Sequence, residues 1–403
     1  PIRDDLHVLS PRGFRAGAVY AGIKTTPARP DVAVLICDAP ASAAAVFTMN
    51  KVVSPGVVIG RRHIARGKLR GVVVNAGNAN ACTGRRGLQD AISMCRIAAK
   101  RLGCDPHEML PSSTGIIGQY LPMEKIEKGI AGACEYLGSD AEHAILFADA
   151  ILTTDLKRKT TAAEVKIGRE RVVIGGVCKG SGMIGPRLHA TMLAYLTTDA
   201  KIAPRLLRKL MQRSADISFN AVTVDDHAST NDTACILASG ASDASVKSSA
   251  DVKRFAAALD EVCQSLAYQI AADGEGATKV VRIDVNGARS ERDAKMIART
   301  IANSPLVKTA MHGNDPNWGR IVSAAGYAGV PFDADRAILK LQGTVVFRKG
   351  QPAAFDAEAL SNAMAAAEVR VELACNLGKA PAATCWTCDL SREYITINAD
   401  YHT

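Results

Sequence analysis

The chain has 403 residues, of which 48% are hydrophobic and 22% charged. These proportions exclude disordered and fibrous proteins and leave enough material for two or three globular domains. A formal net charge of +9 admits nucleic acid, an anionic membrane surface or acidic small molecules as partners, so the arrangement of the basic residues has to decide.

The basic residues do not form a nucleic-acid site. The densest cluster lies in residues 61–70, where glycines interrupt it and no aromatic side chains are available for base stacking. It contains Arg61, Arg62, His63, Arg66, Lys68 and Arg70. We predict a solvated loop here. With no apolar run of about 18 residues and no apolar core of a signal peptide at the N-terminus, we expect a soluble cytoplasmic protein without a membrane partner.

The eleven cysteines are too sparse for a secreted disulfide scaffold and indicate reduced thiols. Cys385 and Cys388 have CxxC spacing, but a zinc site needs two further ligands and no second CxxC or paired histidine motif accompanies them. We therefore predict neither a metal nor a cofactor.

Strand and helix signals alternate along the first half of the chain. Residues 72–74 predict a buried strand, and apolar residues then recur at helical spacing from Leu88 to Leu102. Ser139 with Glu142 predicts a capping box for a helix over residues 144–150. Pro204 suits the first turn of a helix that continues through Met211.

The second half continues the alternation. Residues 239–250 predict a surface connection, residues 252–270 an amphipathic helix that ends near Asp273, and residues 281–285 a half-buried strand. Ser290 and Asp293 predict the cap of a helix that ends before Pro305, whereas residues 394–397 favour a strand. The fold class is α/β or α+β. We predict a core domain over residues 1–286 and a smaller α+β domain over residues 287–403.

Residues 180–185 satisfy the GxGxxG pattern after the strand-like residues 172–174. A dinucleotide fold needs a crossover helix next, but Pro186 follows directly and the β-rich residues 191–198 begin too soon. We therefore reject a dinucleotide site. The glycines either turn the chain or let its backbone lie close to a reacting centre.

Thr191, framed by Ala190 and Met192, is the candidate nucleophile. A threonine hydroxyl needs an adjacent base, and cleavage of the Ala190–Thr191 bond would free an α-amine that serves as one. In the turn at residues 111–118, the Gly115 N–H and the Thr114 hydroxyl can face a developing oxyanion. Taken singly, each match is better explained by a purely structural role.

Six segments together resemble the ornithine acetyltransferase family of arginine biosynthesis, over nearly the whole chain. They are Lys-Gly-Ser-Gly-Met-Ile at 179–184 with Ala-Thr-Met-Leu at 190–193, Val-Val-Asn-Ala-Gly-Asn-Ala-Asn-Ala-Cys-Thr-Gly at 73–84, Ser-Thr-Gly at 113–115, Ser-Thr-Asn-Asp at 229–232, Asp-Pro-Asn-Trp-Gly-Arg at 315–320 and Ile-Asn-Ala-Asp-Tyr-His-Thr at 397–403.

The resemblance implies transfer of an acetyl group from N-acetylornithine to glutamate through acetyl-threonine, with acetyl-CoA as an additional donor in some members. It also implies self-cleavage between Ala190 and Thr191 into α and β chains that stay associated, in an α2β2 or larger assembly. The implied fold is a layered α/β sandwich similar to the DmpA aminopeptidase type, with a smaller C-terminal domain.

The resemblance also implies the substrate-binding residues. Lys179 is expected to meet the substrate α-carboxylate, and Glu275 the ammonium group of ornithine. Asn398 and Thr403 are expected to close the pocket. Thr153 or Thr154 should line it, and we favour Thr153. As isolated residues, Glu275 and Asn398 are also explained by a helix-terminal turn and a strand end.

One departure from the family pattern lies before the nucleophile. The segment at residues 186–191 contains one extra residue, most simply His189. An extra residue here either slows cleavage or supplies an acid/base imidazole. We favour the third explanation, a solvent-facing histidine.

Two alternative functions stay open. One is an N-terminal nucleophile amidase or peptidase on the same scaffold, and the other is an uncleaved homologue that binds amino acids.

Overall fold

The computed structural model describes residues 2–25, 29–185 and 192–400. Strands β1 to β14 are, in chain order, Phe14–Val19, Val32–Phe47, Lys68–Asn78, Met109–Ile116, Lys159–Ile167, Glu170–Lys179, Leu193–Thr198, Thr233–Ala238, Val280–Asn286, Ile338–Leu341, Thr344–Arg348, Gln351–Pro352, Glu368–Ala374 and Ala383–Cys388.

Helices α1 to α11 are, in chain order, Pro55–Ile64, Gly84–Leu102, Met123–Glu135, Ala141–Ala150, Pro204–Asp216, Ser249–Ala272, Glu291–Asn303, Pro305–His312, Trp318–Gly326, Ala357–Met364 and Arg392–Asp400. Short 3₁₀ turns span Pro106–Glu108 and Phe219–Ala221. Among the described residues, no helix has the length and apolar character needed to cross a bilayer.

The first sheet has eight strands in the order β4-β3-β2-β8-β7-β6-β5, with β1 paired to β2. The long strand β2 joins its two halves, because residues up to Ser42 pair with β3 and residues from Ser42 pair with β8. Strands β6 and β7 are antiparallel neighbours, which is incompatible with a βαβ unit. The crossover connection that a dinucleotide fold would need between β6 and β7 is therefore not formed, and the rejection of a dinucleotide site stays a prediction.

Alternation along the strands divides the first sheet into layers. Leu35 and Tyr195, from different halves of the sheet, share an inner core with Phe147 of α4. The next residue along β2 or β7 belongs to an outer face, where the β2–β4 half is covered by α2 and α3 and the other half by α5 and α6. The molecule is thus a layered α/β protein, as predicted.

The second sheet has six strands in the order β12-β11-β10-β13-β9-β14 and is covered by α7 to α10. Strand β9 (Val280–Asn286) lies next to the edge strand β14 and pairs with both β13 and β14. The second sheet therefore begins seven residues earlier than the boundary expected at residue 287. The division into two domains itself stays a prediction.

Several predicted elements are present. Helix α2 ends at Gly103, which adopts a left-handed φ of 66°. Helix α5 begins at Pro204, and Ser290 caps α7 by accepting from the N–H of Asp293. Pro305 not only follows the end of α7 but also begins α8, capped by Ser304.

The solvated loop predicted for residues 61–70 is wrong. Arg61, Arg62 and His63 form the last turn of α1, and Lys68 begins β3. Ser54 caps this helix ahead of Pro55. The basic residues at its C-terminal end interact favourably with the negative end of the helix dipole. The local glycines did not break the helix because its other face is buried.

Three smaller predictions are also corrected. Asp140, rather than Ser139, caps α4, since its side chain accepts from the N–H of His143 at 3.0 Å. The connection at residues 239–247 buries Ala244 and Val246, so it is not wholly at the surface. Residues 394–397 lie in helix α11, which buries no side chain, so the β preference of isoleucine and threonine did not decide the structure of this segment.

Candidate active site

A cavity of about 320 Å³ opens where the ends of β4 and β6 meet the starts of β7 and β8. Five predicted side chains and one predicted backbone group line it, together with Met192, which directly follows Thr191. The lining residues are Thr114, Gly115, Thr153, Thr154, Lys179, Gly182, Met183, Met192, Leu193, Ser229, Asn231, Asp232, Glu275 and Asn398. Ala190, Thr191 and Thr403, like His189, lie outside the described residues.

Sheet register explains why such distant segments meet. Lys179, the last residue of β6, pairs with Leu193 of β7, two positions after Thr191. Leu193 in turn pairs with Thr233 at the start of β8, just after Asp232. Three neighbouring strands therefore bring their ends to one edge of the sheet.

Gly115 occupies a position that only glycine tolerates. Its φ is +129°, and an added Cβ would lie 2.3 Å from the carbonyl carbon of Gly77. The two glycines pair across the parallel strands β3 and β4. The close approach fixes the turn that carries Thr114 and the Gly115 N–H into the cavity wall.

Buried amide side chains support this turn from behind. Asn75 Oδ1 accepts a hydrogen bond from Ser113 Oγ at 2.7 Å. Asn231 Nδ2 donates to the carbonyl oxygens of Ala79 at 2.6 Å and Ser113 at 2.8 Å. Both asparagines lie within the segments that carry the family resemblance. The sequence assigns neither a role, because the partners of an amide side chain depend on the fold.

Lys179 is 9% exposed and faces Asp155, whose Oδ2 lies 3.9 Å from Lys179 Nζ. Burial alone would raise the pKa of the Asp155 carboxyl, but Lys179 and Lys159 hold this pKa below its usual range. Sequence reasoning missed Asp155. It follows Thr153 and Thr154 directly, but that pattern alone does not distinguish a buried carboxylate from a solvated one.

Glu275 lies in the turn after α6, and its Oε2 accepts a hydrogen bond from Asn398 Nδ2 at 2.9 Å. An added Cβ at Gly182 would lie 2.3 Å from the same oxygen. Gly182 therefore leaves room for the carboxylate beside the cavity. That this approach serves a reacting centre stays a prediction. Asn398 reaches Glu275 from a helix, rather than from the strand end considered above.

Asp225 binds the backbone of Met183 and Ile184, which lie shortly before residues 186–191. Its carboxylate accepts from the N–H groups of Met183 at 2.7 Å and Ile184 at 2.8 Å. Burial raises the pKa of Asp225. Met183 has a left-handed φ of 55°, which is uncommon for a side chain of this kind. No sequence motif pointed to Asp225.

The second sheet reaches the cavity through the loop that carries Glu275. Asp389, just after β14, accepts from the N–H of Thr278 at 2.8 Å and of Lys279 at 3.1 Å. Ser391 Oγ donates to the carbonyl of Gly276 at 2.6 Å. These bonds clamp the loop between the two sheets.

The cavity has charges of both signs. Lys179 supplies a cation, Glu275 and Asp232 supply carboxylates, and threonine and asparagine side chains supply neutral donors and acceptors. Such a lining suits a small ligand that itself carries both an anion and a cation.

Fold and cavity together define a layered α/β protein with a polar small-molecule site at one edge of its larger sheet. The chain belongs to the ArgJ family, whose model matches residues 15–403.

Two relatives called arginine biosynthesis bifunctional protein ArgJ illustrate the match. That of Dehalococcoides mccartyi is 44% identical and covers 100% of this chain and 98% of its own. That of Geobacter sulfurreducens is 46% identical over 98% of this chain and 100% of its own. A crystal structure of the Bacillus halodurans protein of the same name is 38% identical, covering 48% of this chain and 97% of its own, with a TM-score of 0.44.

Proposed function

We propose that this protein transfers an acetyl group from N-acetylornithine to glutamate in arginine biosynthesis. The observation that carries the proposal is the convergence of Thr114, Lys179 and Glu275, which are far apart in sequence, on one cavity beside Met192. Membership of the ArgJ family supports it, because the relatives are named for a bifunctional role in arginine biosynthesis.

In this proposal Thr191 is the nucleophile. Cleavage of the Ala190–Thr191 bond frees its α-amine, and a free α-amine has a reference pKa of about 7.7 to 8.0. Near neutral pH it can therefore accept the hydroxyl proton while the oxygen attacks the acetyl carbonyl. The Gly115 N–H and the Thr114 hydroxyl stabilise the oxyanion.

The tetrahedral intermediate collapses by breaking the bond to the ornithine nitrogen, which leaves with the proton returned by the α-amine. The acetyl group stays on Thr191 as an ester. The neutral amino group of glutamate then attacks this ester, and its proton passes through the α-amine to the released threonine oxygen as N-acetylglutamate leaves. Because the first product leaves before the second substrate reacts, the kinetics are ping-pong.

The cavity charges support the assignment of substrates. Both amino acids carry an α-carboxylate, which Lys179 binds. Glu275, oriented by Asn398, binds the side-chain ammonium of ornithine. Thr153 and Thr403 complete the binding site. Acetyl-CoA as a second donor, an α2β2 or larger assembly and a cytoplasmic location belong to the same proposal.

Intact-mass spectrometry tests the proposal most directly. Incubation with N-acetylornithine is expected to give a fragment that begins at Thr191 and carries one added acetyl group. Addition of glutamate is expected to remove that group as N-acetylglutamate. Thr191→Ala is the control, and it should migrate as one uncleaved band on a denaturing gel.

The other outcomes point to the two alternative functions. Removal of the acetyl group by water, with no gain on adding glutamate, would indicate an amidase or peptidase. An uncleaved chain that binds the amino acids without turnover would indicate a binding protein. An active enzyme with an intact Ala190–Thr191 bond would refute the proposed nucleophile.

A further inference from the structure

A buried group of charged side chains lies behind the cavity wall formed by Thr153 and Lys179. Lys159 is 1% exposed, and its Nζ lies 2.7 Å from Asp155 Oδ1 and 2.6 Å from Asp273 Oδ2. Lys179 Nζ approaches the second oxygen of Asp155, Oδ2, at 3.9 Å. Two carboxylates thus face two ammonium groups, so the group is neutral overall when all four are ionised.

Asp155 connects two separate parts of the cavity wall. Its Oδ2 accepts a hydrogen bond from the N–H of Thr153 at 3.0 Å. Its Oδ1 accepts one from the N–H of Gly180 at 2.7 Å, directly after Lys179. A single carboxylate therefore fixes the backbone of the Thr153 turn relative to the end of β6.

Asp273 extends the connection to the Glu275 loop. Its Oδ2 accepts from the N–H groups of Leu156 at 3.1 Å and Lys157 at 3.2 Å. Its carbonyl accepts from Ser181 Oγ at 2.6 Å, and the N–H of Glu275 donates to the Ser181 carbonyl at 3.0 Å. The candidate groups at positions 153, 179 and 275 are thus tied together through one buried network.

The contact between Lys179 and Asp155 is longer than a hydrogen bond. Within residues 2–25, 29–185 and 192–400, Lys179 Nζ makes this ion pair and no side-chain hydrogen bond. Asp155 therefore attracts the ammonium group without consuming its N–H donors, which leaves them for a ligand in the cavity.

We propose that Asp155 is a positioning residue for the acetyl transfer, holding Lys179 and the Thr153 turn where they meet the substrate carboxylate. The inference rests on the proposed function, because it specifies how that site is kept in shape. Asp155 does not touch the substrate and acts through its two neighbours in the wall.

The chain contains a matched control. Residues 150–157 and 194–201 agree at six of eight positions, and Asp199 is the counterpart of Asp155. Asp199 is also buried, accepts from the N–H of Val173 at 3.1 Å and pairs with Arg12 at 3.4 Å. It does not line the cavity.

The experiment compares Asp155→Asn with Asp199→Asn in the full chain, by crystal structure and by steady-state kinetics. In Asp155→Asn we expect Lys179 Nζ to move by about 1 Å or more and kcat/KM for glutamate to fall about 100-fold, mainly through KM. In Asp199→Asn we expect the Lys179 position and KM of the wild type.

A second variant separates positioning from the effect of an uncompensated buried charge. Asp155→Asn combined with Lys159→Met removes one negative and one positive charge, so the group stays neutral overall, with Asp273 still held by the N–H groups of Leu156 and Lys157. We expect this double variant to keep the raised KM, because Lys179 still lacks its carboxylate.

Wild-type KM in the double variant, or an unmoved Lys179 in both Asp155 variants, would overturn the inference. So would an equal KM defect in Asp199→Asn. Failure of the proposed function is recognised separately, because the wild type itself would then form no N-acetylglutamate. In that case the position of Lys179 in the variant crystal structures still decides whether Asp155 positions it.

Discussion

The two sheets differ in where they bury polar groups. At the cavity edge of the first sheet, buried residues include Asn75, Asp155, Lys159 and Asn231, and left-handed backbone occurs at Gly77, Asn80, Cys82, Gly115, Gly180 and Met183. The second sheet has an apolar core that includes Ile283, Leu339 and Val371. Its buried charged groups, such as Lys279, Lys308 and Asp389, lie around the start of β9 and the end of β14. Its left-handed residues include Gln342, Gly343, Lys349 and Gly350, at the turns that flank β11.

This contrast separates the part of the molecule that builds the site from the part that supports it. Buried polar groups and unusual backbone angles reduce stability and cluster at functional sites in proteins. The second sheet contributes a conventional core, and its bonds from Asp389 and Ser391 to the Glu275 loop clamp that loop.

The largest expected effect is at the cavity edge. Gly115→Ala should lower kcat about a thousandfold, the loss typical of a missing oxyanion donor. The physical reason is that the φ of +129° and the 2.3 Å approach to Gly77 both force the turn to move. Steady-state acetyl transfer measures the effect.

Gly118→Ala is the matched control for this substitution. Gly118 has a φ of +86°, but an added Cβ there meets nothing within 4 Å. It should lose some stability while keeping kcat near that of the wild type. A wild-type kcat in Gly115→Ala would mean that the turn does not stabilise the oxyanion.

The next effect tests whether the second sheet is mainly structural. Leu339 is fully buried there, and Leu339→Ala should lower the free energy of unfolding by about 3 kcal/mol through the cavity it leaves. Because Leu339 is remote from the Glu275 loop in the sheet order, KM for both substrates should not change. Urea denaturation and steady-state kinetics measure the two quantities.

Leu306→Ala serves as the comparison, since Leu306 is 60% exposed and its truncation should change stability by less than about 0.5 kcal/mol. If Leu339→Ala raised KM as well as lowering the free energy of unfolding, the proposal that the second sheet is mainly structural would be wrong.

The smallest effect concerns a half-buried lysine beside the first sheet. Burial lowers the pKa of Lys24 to about 8, partly opposed by Asp31. An unfolded lysine titrates near about 10.4, so between these pH values the unfolded chain binds more protons. The contribution of Lys24 therefore makes the free energy of unfolding rise as the pH increases from about 8 to about 10.4.

In Lys24→Met this rise should be absent. Urea denaturation should then show that the free energy of unfolding increases less between pH 8 and pH 10 than it does in the wild type. Lys125→Met is the matched variant, because exposed Lys125 also donates to a backbone carbonyl, that of Gly22, at 2.7 Å. It should keep the wild-type pH dependence. Equal pH dependence in all three proteins would exclude a depressed pKa at Lys24.

The regular elements were predictable where local and tertiary preferences agree. The apolar spacing after Leu88, Pro204 at a helix start and the alternation at residues 281–285 each match an observed element. The predictions failed for α1, where glycines and charges suggested a loop, and for α11, where β-branched residues suggested a strand. In α1 the buried face decides the structure, whereas α11 buries no side chain and its packing does not explain the helix.

The sequence by itself determined the alternating α/β pattern, the family resemblance and six of the fourteen residues that line the cavity. Only the tertiary structure decided that Asp155, Asp225 and Asn231 support that cavity and that β9 belongs to the second sheet. The physical reason is that residue type and spacing set local preferences. The burial of a carboxylate, its pKa and its hydrogen-bond partners depend on segments that are distant in sequence, such as Asp225 and Met183, which are 42 residues apart.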